Sequence, residues 1–425
     1  MLRATVLDVQ ILFSTRIVRL FAYGFLSVVL ALYLAQVGLR EGQIGLLLTL
    51  TLLGDTIISL WITTNADRLG RRRMLLVGAV LMVFASILFA YTRNFYLLLL
   101  AAAIGVISPS GNEVGPFLSI EQASLAQLVL DEQRTRVFAW YNLVGSFATA
   151  LGALMAGLLA QGFQGAGMSA LASYRIIVLA YGGIGLILLG LFLRLTPVIE
   201  VPVKRALEDA AEKPVLRLGL HKSRQVVFKL AALFSLDAFA GGLIVQSLMA
   251  FWFNQEFGVE PAVLGAIFFG ANLLAGISAL SAAWVARRIG LINTMVFTHL
   301  PSNVLLMLVP LMPSLAAAVA LLLLRFSISQ MDVPTRQSYT MAVVTPDERS
   351  AASGITGVAR TIGASLSPIF TGLFLSNPVL AGLPFFLAGG LKIVYDLALF
   401  FNFRAIKPPE EANILPVQKD TGGGR

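Results

Sequence analysis

The residues most able to do chemistry in this chain are ionisable side chains set deep inside apolar runs. They are Asp55, Glu113, Glu121, Asp237, Asp332, Arg336, Arg360, Lys392 and Asp396, with Arg16 and Arg19 in the first turns of the first run. Each costs about 2.5–3.5 kcal/mol at the centre of a bilayer on insertion scales, so such groups pair, face water or bind a ligand. A carboxyl in an apolar setting can exchange a proton near neutral pH, which makes Asp55, Asp237, Glu113 and Asp332 the proton-coupling candidates. Gly54 and Thr56 flank Asp55 and could equally hold it as a structural acid. Arg336, Arg360 and Glu121 are the substrate or gate candidates, together with the polar and aromatic residues Tyr23, Asn272 and Tyr339.

Spacing suggests partners. Asp332 and Arg336 are four apart and share a helical face, as do Lys392 and Asp396, which could neutralise each other. Glu113 and Glu121 fall broadly on one side of a helix, with Phe117 between them. Arg360 needs an acid, an anionic solute or water, and Asp332 on the preceding helix is the nearest acid in sequence. Glu121 and Arg336 could meet across the molecule as a gate, or each could cap its own helix.

The elements that must position these groups are apolar runs of bilayer length. Twelve are expected, near 11–37, 44–66, 74–92, 95–117, 136–161, 173–195, 226–253, 262–285, 291–311, 314–342, 350–375 and 379–403. Gly111-Asn-Glu-Val-Gly-Pro-Phe117 should break the fourth. Hydrophobic residues make up 57% and charged residues 12% of the chain, against about 25% charge in soluble domains. Arginines and lysines alternate from loop to loop, so the positive-inside bias places Arg68–Arg73, Arg134, Arg287, Arg288, Arg349 and both termini on the cytoplasmic side of a plasma or inner membrane.

The region 196–225 is polar and proline-rich, with a possible surface helix over Ala206–Lys213. It divides a six-helix bundle over 1–195 from another over 226–404, followed by a disordered tail over 405–425. The halves repeat. At an offset of 215, Gln122 falls on Gln337, Glu121 on Arg336, Arg134 on Arg349 and Gly145 on Arg360; at an offset of 220, Arg68-Leu-Gly70 corresponds to Arg288-Ile-Gly290.

Asp67-Arg68-Leu69-Gly70-Arg71-Arg72 resembles the loop between helices 2 and 3 of the major facilitator superfamily, whose pattern is G-x-x-x-D-R/K-x-G-R-R/K. Thr63 stands at the opening glycine. The resemblance implies an all-α integral membrane protein of twelve transmembrane helices, as two six-helix bundles related by a pseudo-two-fold axis along the membrane normal. It implies a site between the bundles. It also implies that Asp67 pairs with a basic residue at the cytoplasmic end of helix 11, near Arg349, while Arg68, Arg71 and Arg72 meet lipid headgroups or nearby carboxylates.

Several function classes fall away. Cysteine is absent and only His221 and His299 offer imidazole, so thiolate chemistry and a histidine metal cluster are not expected. No nucleotide-binding loop, H-E-x-x-H or G-x-S-x-G pattern occurs. The net charge of +9 sits in short turns, which is membrane orientation rather than nucleic-acid binding. The expectation is a monomeric secondary transporter, without cofactor or enzymatic activity. It would move a small organic solute by alternating access, as proton-coupled efflux, in contact with membrane lipids. Transport of an anionic metabolite bound by Arg336 and Arg360 is the alternative.

Overall fold

The computed structural model describes residues 2–112, 115–200, 220–345 and 348–406. Glu113, the expected surface helix over Ala206–Lys213 and the tail beyond Ile406 lie outside the described residues.

Among the described residues every regular element is helical. The first half holds α1 (Leu2–Val37), α2 (Glu41–Leu69), α3 (Arg71–Tyr91), α4 (Phe95–Ile104), α5 (Phe117–Leu128), α6 (Asp131–Gly165) and α7 (Ala170–Phe192). The second holds α8 (Arg224–Gly242), α9 (Gln246–Phe257), α10 (Pro261–Ile289), α11 (Leu291–Leu308), α12 (Leu315–Ser329), α13 (Asp332–Ala342), α14 (Arg349–Leu366), α15 (Pro368–Leu375) and α16 (Leu383–Phe403). Eleven of these, single or in collinear pairs, are long and apolar enough to cross a bilayer. The twelfth crossing is α4, too short alone, continued by α5.

Local chemistry sets the ends. Asn94 caps α4 by accepting from the N–H groups of Tyr96 and Leu97, and Ser169 and Ser314 cap α7 and α12, which satisfies donors that a helix start leaves unpaired. Gly70 and Gly290 have φ of 102° and 87°. Only glycine takes that conformation without strain, so each ends one helix and starts the next in a turn too short for other residues. Sequence reading ends the fourth span at 117. The structure instead breaks it over Gly105–Pro116 and resumes it to Leu128, because Gly111, Gly115 and Pro116 interrupt the helix and Phe117–Leu128 restores an apolar face. Spans 7, 10 and 11 are broken too, after Gly242, Ser329 and Leu366.

Call the end that carries Asp67–Arg73 and Arg287–Gly290 the basic end and the opposite one the far end. Among the described residues the halves touch at the far end and at mid-depth. At the far end, a Cβ on Gly45 would lie 2.6 Å from Pro368 O, and one on Gly157 would lie 2.2 Å from Pro261 O. Small residues allow this approach of helix backbones. The N–H of Ile369 donates to Thr49 Oγ1 at 3.0 Å and that of Ala262 to Gln161 Oε1 at 3.0 Å. Among the described residues, the hydrogen bonds that join the halves all lie in the far half or at mid-depth. At the basic end, Trp61, Trp140 and Trp284 are more than half exposed. Among the described residues the molecule is therefore shut at the far end and parted at the basic end.

Candidate functional site

Two buried ionic centres flank the gap between the halves at mid-depth. In the first half, Arg19 of α1 grips Glu121 of α5 with two parallel bonds of 2.6 and 2.8 Å. Thr15 Oγ1 donates to the same carboxylate at 2.8 Å, and so does the Tyr141 hydroxyl. Both charged groups are fully buried. A bidentate arginine–carboxylate pair with further donors is the arrangement that offsets desolvation. Arg16 stacks on the Tyr141 ring, 4.7 Å from its centre.

In the second half, Asp237 of α8 receives Lys392 Nζ of α16 at 2.5 Å and Arg336 Nη1 of α13 at 3.1 Å. Arg336 also donates to Asp332 at 2.9 Å. Beside them Asp396 accepts from Asn303 at 2.9 Å and contacts His299 Nδ1 at 2.9 Å.

The two centres are related by the repeat with their charges exchanged. A Cβ on Gly24 would strike Thr149 O, and one on Gly242 would strike Ala364 O; Thr149 and Ala364 are repeat partners at the offset that aligns Glu121 with Arg336. Gly24 thus pairs with Gly242, an offset of 218 on this span, and at that offset Arg19 falls on Asp237. The first half thus holds a cation on its first span and an acid on its fourth, and the second half the reverse.

The breaks of spans 4 and 7 meet just beyond these centres, toward the far end. Pro109 O accepts from the Ser247 hydroxyl at 2.6 Å and from its N–H at 3.0 Å. Gln246 donates to Ser27 at 2.8 Å and accepts from Asn272 at 3.1 Å. Interrupted helices leave backbone carbonyls available where water or solute can reach them.

Several expected pairings are corrected. Glu121 and Arg336 form no gate across the halves, because each is taken up by partners in its own half. Lys392 turns to Asp237, not to Asp396, since the tertiary neighbour offers a carboxylate at closer range than the next helical turn. Asp332 is held by Arg336, and no ion pair joins it to Arg360. Tyr339 is fully buried away from the gap; its hydroxyl donates to Phe403 O and Ile406 O and ties α13 to the end of α16. Asp67 does not reach α14: its half-exposed carboxylate accepts from Arg71 Nε at 2.8 Å. Arg349 Nε instead donates to Met341 O at 3.0 Å. Both follow from the parted basic end.

Arg71 further donates to Gln127 and to Ile199 O, and Arg72 to Leu193 O. Arg68 is exposed. Asp55 is buried on α2, with Ser59 donating at 3.3 Å, and Tyr23 is buried on α1. Three residues escaped sequence reading. His299 is one of only two imidazoles, too few to suggest a cluster. Gln246 has no charge to mark it. Arg325, inside the run Leu315–Ser329, carries the signal that should have found it: a guanidinium in an otherwise apolar span.

A basic-end gap walled by two bundles, with ionic centres at mid-depth, defines a membrane carrier rather than a channel or an enzyme. The Major Facilitator Superfamily profile matches residues 12–368, and the chain belongs to that superfamily. It is 30% identical over 424 residues, 94% of each chain, to "Uncharacterized membrane protein YJR124C" of Saccharomyces cerevisiae. Over 138 residues, 32% of this chain and 34% of the other, it is 28% identical to "Quinolone resistance protein NorA" of Staphylococcus aureus. Among solved structures, a point mutant of the nucleoside transporter NupG superposes with a TM-score of 0.74 at 16% identity, over 93% of this chain and all of the other; that likeness is one of fold.

Proposed function

We propose that the protein is a proton-coupled secondary transporter of a small organic solute, with Asp237 as the coupling acid. The observation that carries this is the sharing of one buried carboxylate between Lys392 and Arg336, the second of which is also bound to Asp332. Protonating Asp237 removes the charge that holds two cations from two other spans, α13 and α16. The freed cations must then find new partners, and the span-7 break beside Asp237 gives α8 room to move against α9. The protonation state of Asp237 therefore changes the set of charges that a load in the gap meets, which ties the movements of proton and load together.

The basic end faces the cytoplasm in this reading, following the positive-inside bias, so the conformer is inward-open and both termini are cytoplasmic. Export against inward proton flow is the favoured direction, supported by the partial likeness to NorA. When the basic end closes, Asp67 comes within reach of the start of α14, as the superfamily motif implies.

The test uses purified protein in liposomes with an imposed pH gradient, and follows both solute and internal pH. Wild type should accumulate solute against its gradient while protons run down theirs. Asp237→Asn should keep counterflow exchange of solute and lose gradient-driven accumulation. Accumulation that survives this substitution refutes the coupling role.

A further inference from the structure

We propose that Arg325 and Arg360 form an anion-binding site in the gap, and that the transported solute is a small organic anion bearing a carboxylate or a phosphate group. This rests on the transport reading above and narrows it to a substrate class.

The charges of the second half do not balance. Arg325, Arg336, Arg360 and Lys392 lie at mid-depth against Asp237 and Asp332, while Asp396 is engaged by His299 and Asn303. Arg336 and Lys392 account for both free acids. Arg325 is only 6% exposed, yet no oxygen of the described residues accepts from its Nε, and the same holds for Arg360 Nε. Arg325 has instead the face of Phe326, 4.8 Å from the ring centre. Neither guanidinium group forms an ion pair with Asp237 or Asp332, both of which are bound by Arg336.

Both stand at mid-depth. On α14 one edge is apolar, with Ala351, Ile355, Val358, Ile362 and Leu366, of which the last three are exposed. Arg360 lies on the opposite edge, in line with Ser353 and Gly357. It is eleven residues from the helix start, which is about 16 Å at 1.5 Å per residue and near the middle of a bilayer. Arg325 lies on the buried stripe of α12 with Ala318, Leu322 and Ser329, one turn before that span breaks. The first half mirrors this. Gly145, the repeat partner of Arg360, leaves room for the Arg16 guanidinium: a Cβ there would lie 2.8 Å from Arg16 Nε. A guanidinium thus stands at the matching place on each wall.

Two guanidinium forks at mid-membrane, with no carboxylate partner among the described residues, are stabilised by an incoming anion. Their planar donors fit carboxylate and phosphate oxygens in pairs. A neutral sugar or an organic cation would leave that charge uncompensated.

The test measures thermal unfolding of the full-length protein in detergent. The panel is inorganic phosphate, glycerol 3-phosphate and succinate, against xylose, adenosine and tetraphenylphosphonium. At least one of the anions should raise Tm saturably, and the three neutral or cationic compounds should not. Succinate without the phosphates assigns a carboxylate load, and glycerol 3-phosphate without succinate a phosphate one. Arg325→Gln or Arg360→Gln should raise the half-saturating concentration by about tenfold or more, equivalent to about 1.4 kcal/mol. Arg325→Lys with Arg360→Lys retains charge and loses the forks, so it should fold as wild type and bind more weakly. Asp67→Asn should bind as wild type. The proposal is overturned if none of the anions shifts Tm, or if the shift survives in the Arg325→Gln/Arg360→Gln double variant. Liposomes separate the two readings: movement of neutral or cationic solutes alone sinks this inference and leaves transport standing, while anion binding with no movement of any solute does the reverse.

Discussion

Glu121 and Arg336 occupy matching positions in the two halves and carry opposite charges, yet neither waits for the other. Arg19 answers Glu121, and Asp237 answers Arg336. Removing one partner strands a buried charge, which costs about 3–5 kcal/mol. Arg19→Gln or Glu121→Gln should therefore lower Tm, and Arg19→Glu combined with Glu121→Arg should recover much of the loss, as read by thermal unfolding. Recovery is incomplete because Thr15 and the Tyr141 hydroxyl are placed as donors to the carboxylate where it now sits. Sequence alone made the charged residues conspicuous but misassigned most partners. Spacing along one helix sees only neighbours on that helix, as with Lys392 and Asp396. The choice of Asp237 for Lys392, and of His299 for Asp396, is made by tertiary packing that no local pattern encodes.

At the scale of elements, span positions were legible because a bilayer fixes the length of an apolar run. The glycine and proline cluster announced the break in span 4. It did not announce that Phe117–Leu128 continues the crossing, since those residues mix polar and apolar types. The breaks in spans 7 and 10 carry no proline at the break itself and went unread. One connection between elements is a latch that sequence could not show. Glu348, at the start of α14, accepts from Lys222 N–H at 2.9 Å, Ser223 N–H at 3.0 Å and Thr345 Oγ1 at 2.9 Å, and meets both the N–H and the ring of His221. Burial pushes this carboxyl up, but the hydrogen bonds outweigh burial and hold it at about 2, below the ordinary 4.5. A depressed carboxyl stabilises the fold above pH 4.5, and that contribution disappears as the pH falls toward 2. Glu348→Gln should thus lower Tm at neutral pH, and its difference from wild type should shrink from pH 4.5 downward in a series of melting curves.

For the whole molecule, closure at the far end and separation at the basic end describe one pose of a two-state machine. The far-end contacts combine close glycine approaches, bonds from Thr49 and Gln161, and apolar side chains of both halves packed in one cluster. Because the chain has no cysteine, the seam can be pinned cleanly. Gln161 and Glu260 touch across it, and Gln161→Cys with Glu260→Cys, joined by a short bifunctional maleimide, should abolish transport while either single variant keeps most of it. Full activity of the joined protein would mean that the seam does not open during the cycle. The two-bundle plan was readable from the repeated sequence; the pose was not, since both poses are built from one set of helices.

One more property follows from how the connection between the halves is fastened. Glu200 accepts from the N–H groups of Arg71 and Arg72 at the start of α3, at 2.7 and 3.1 Å, and Glu348 takes up the stretch of chain at His221–Ser223. Each carboxylate sits at the positive end of a helix. Thus the chain is anchored to the first bundle at Glu200 and to the second at His221–Ser223. Glu200→Gln or Glu348→Gln weakens one anchorage and leaves the other in place.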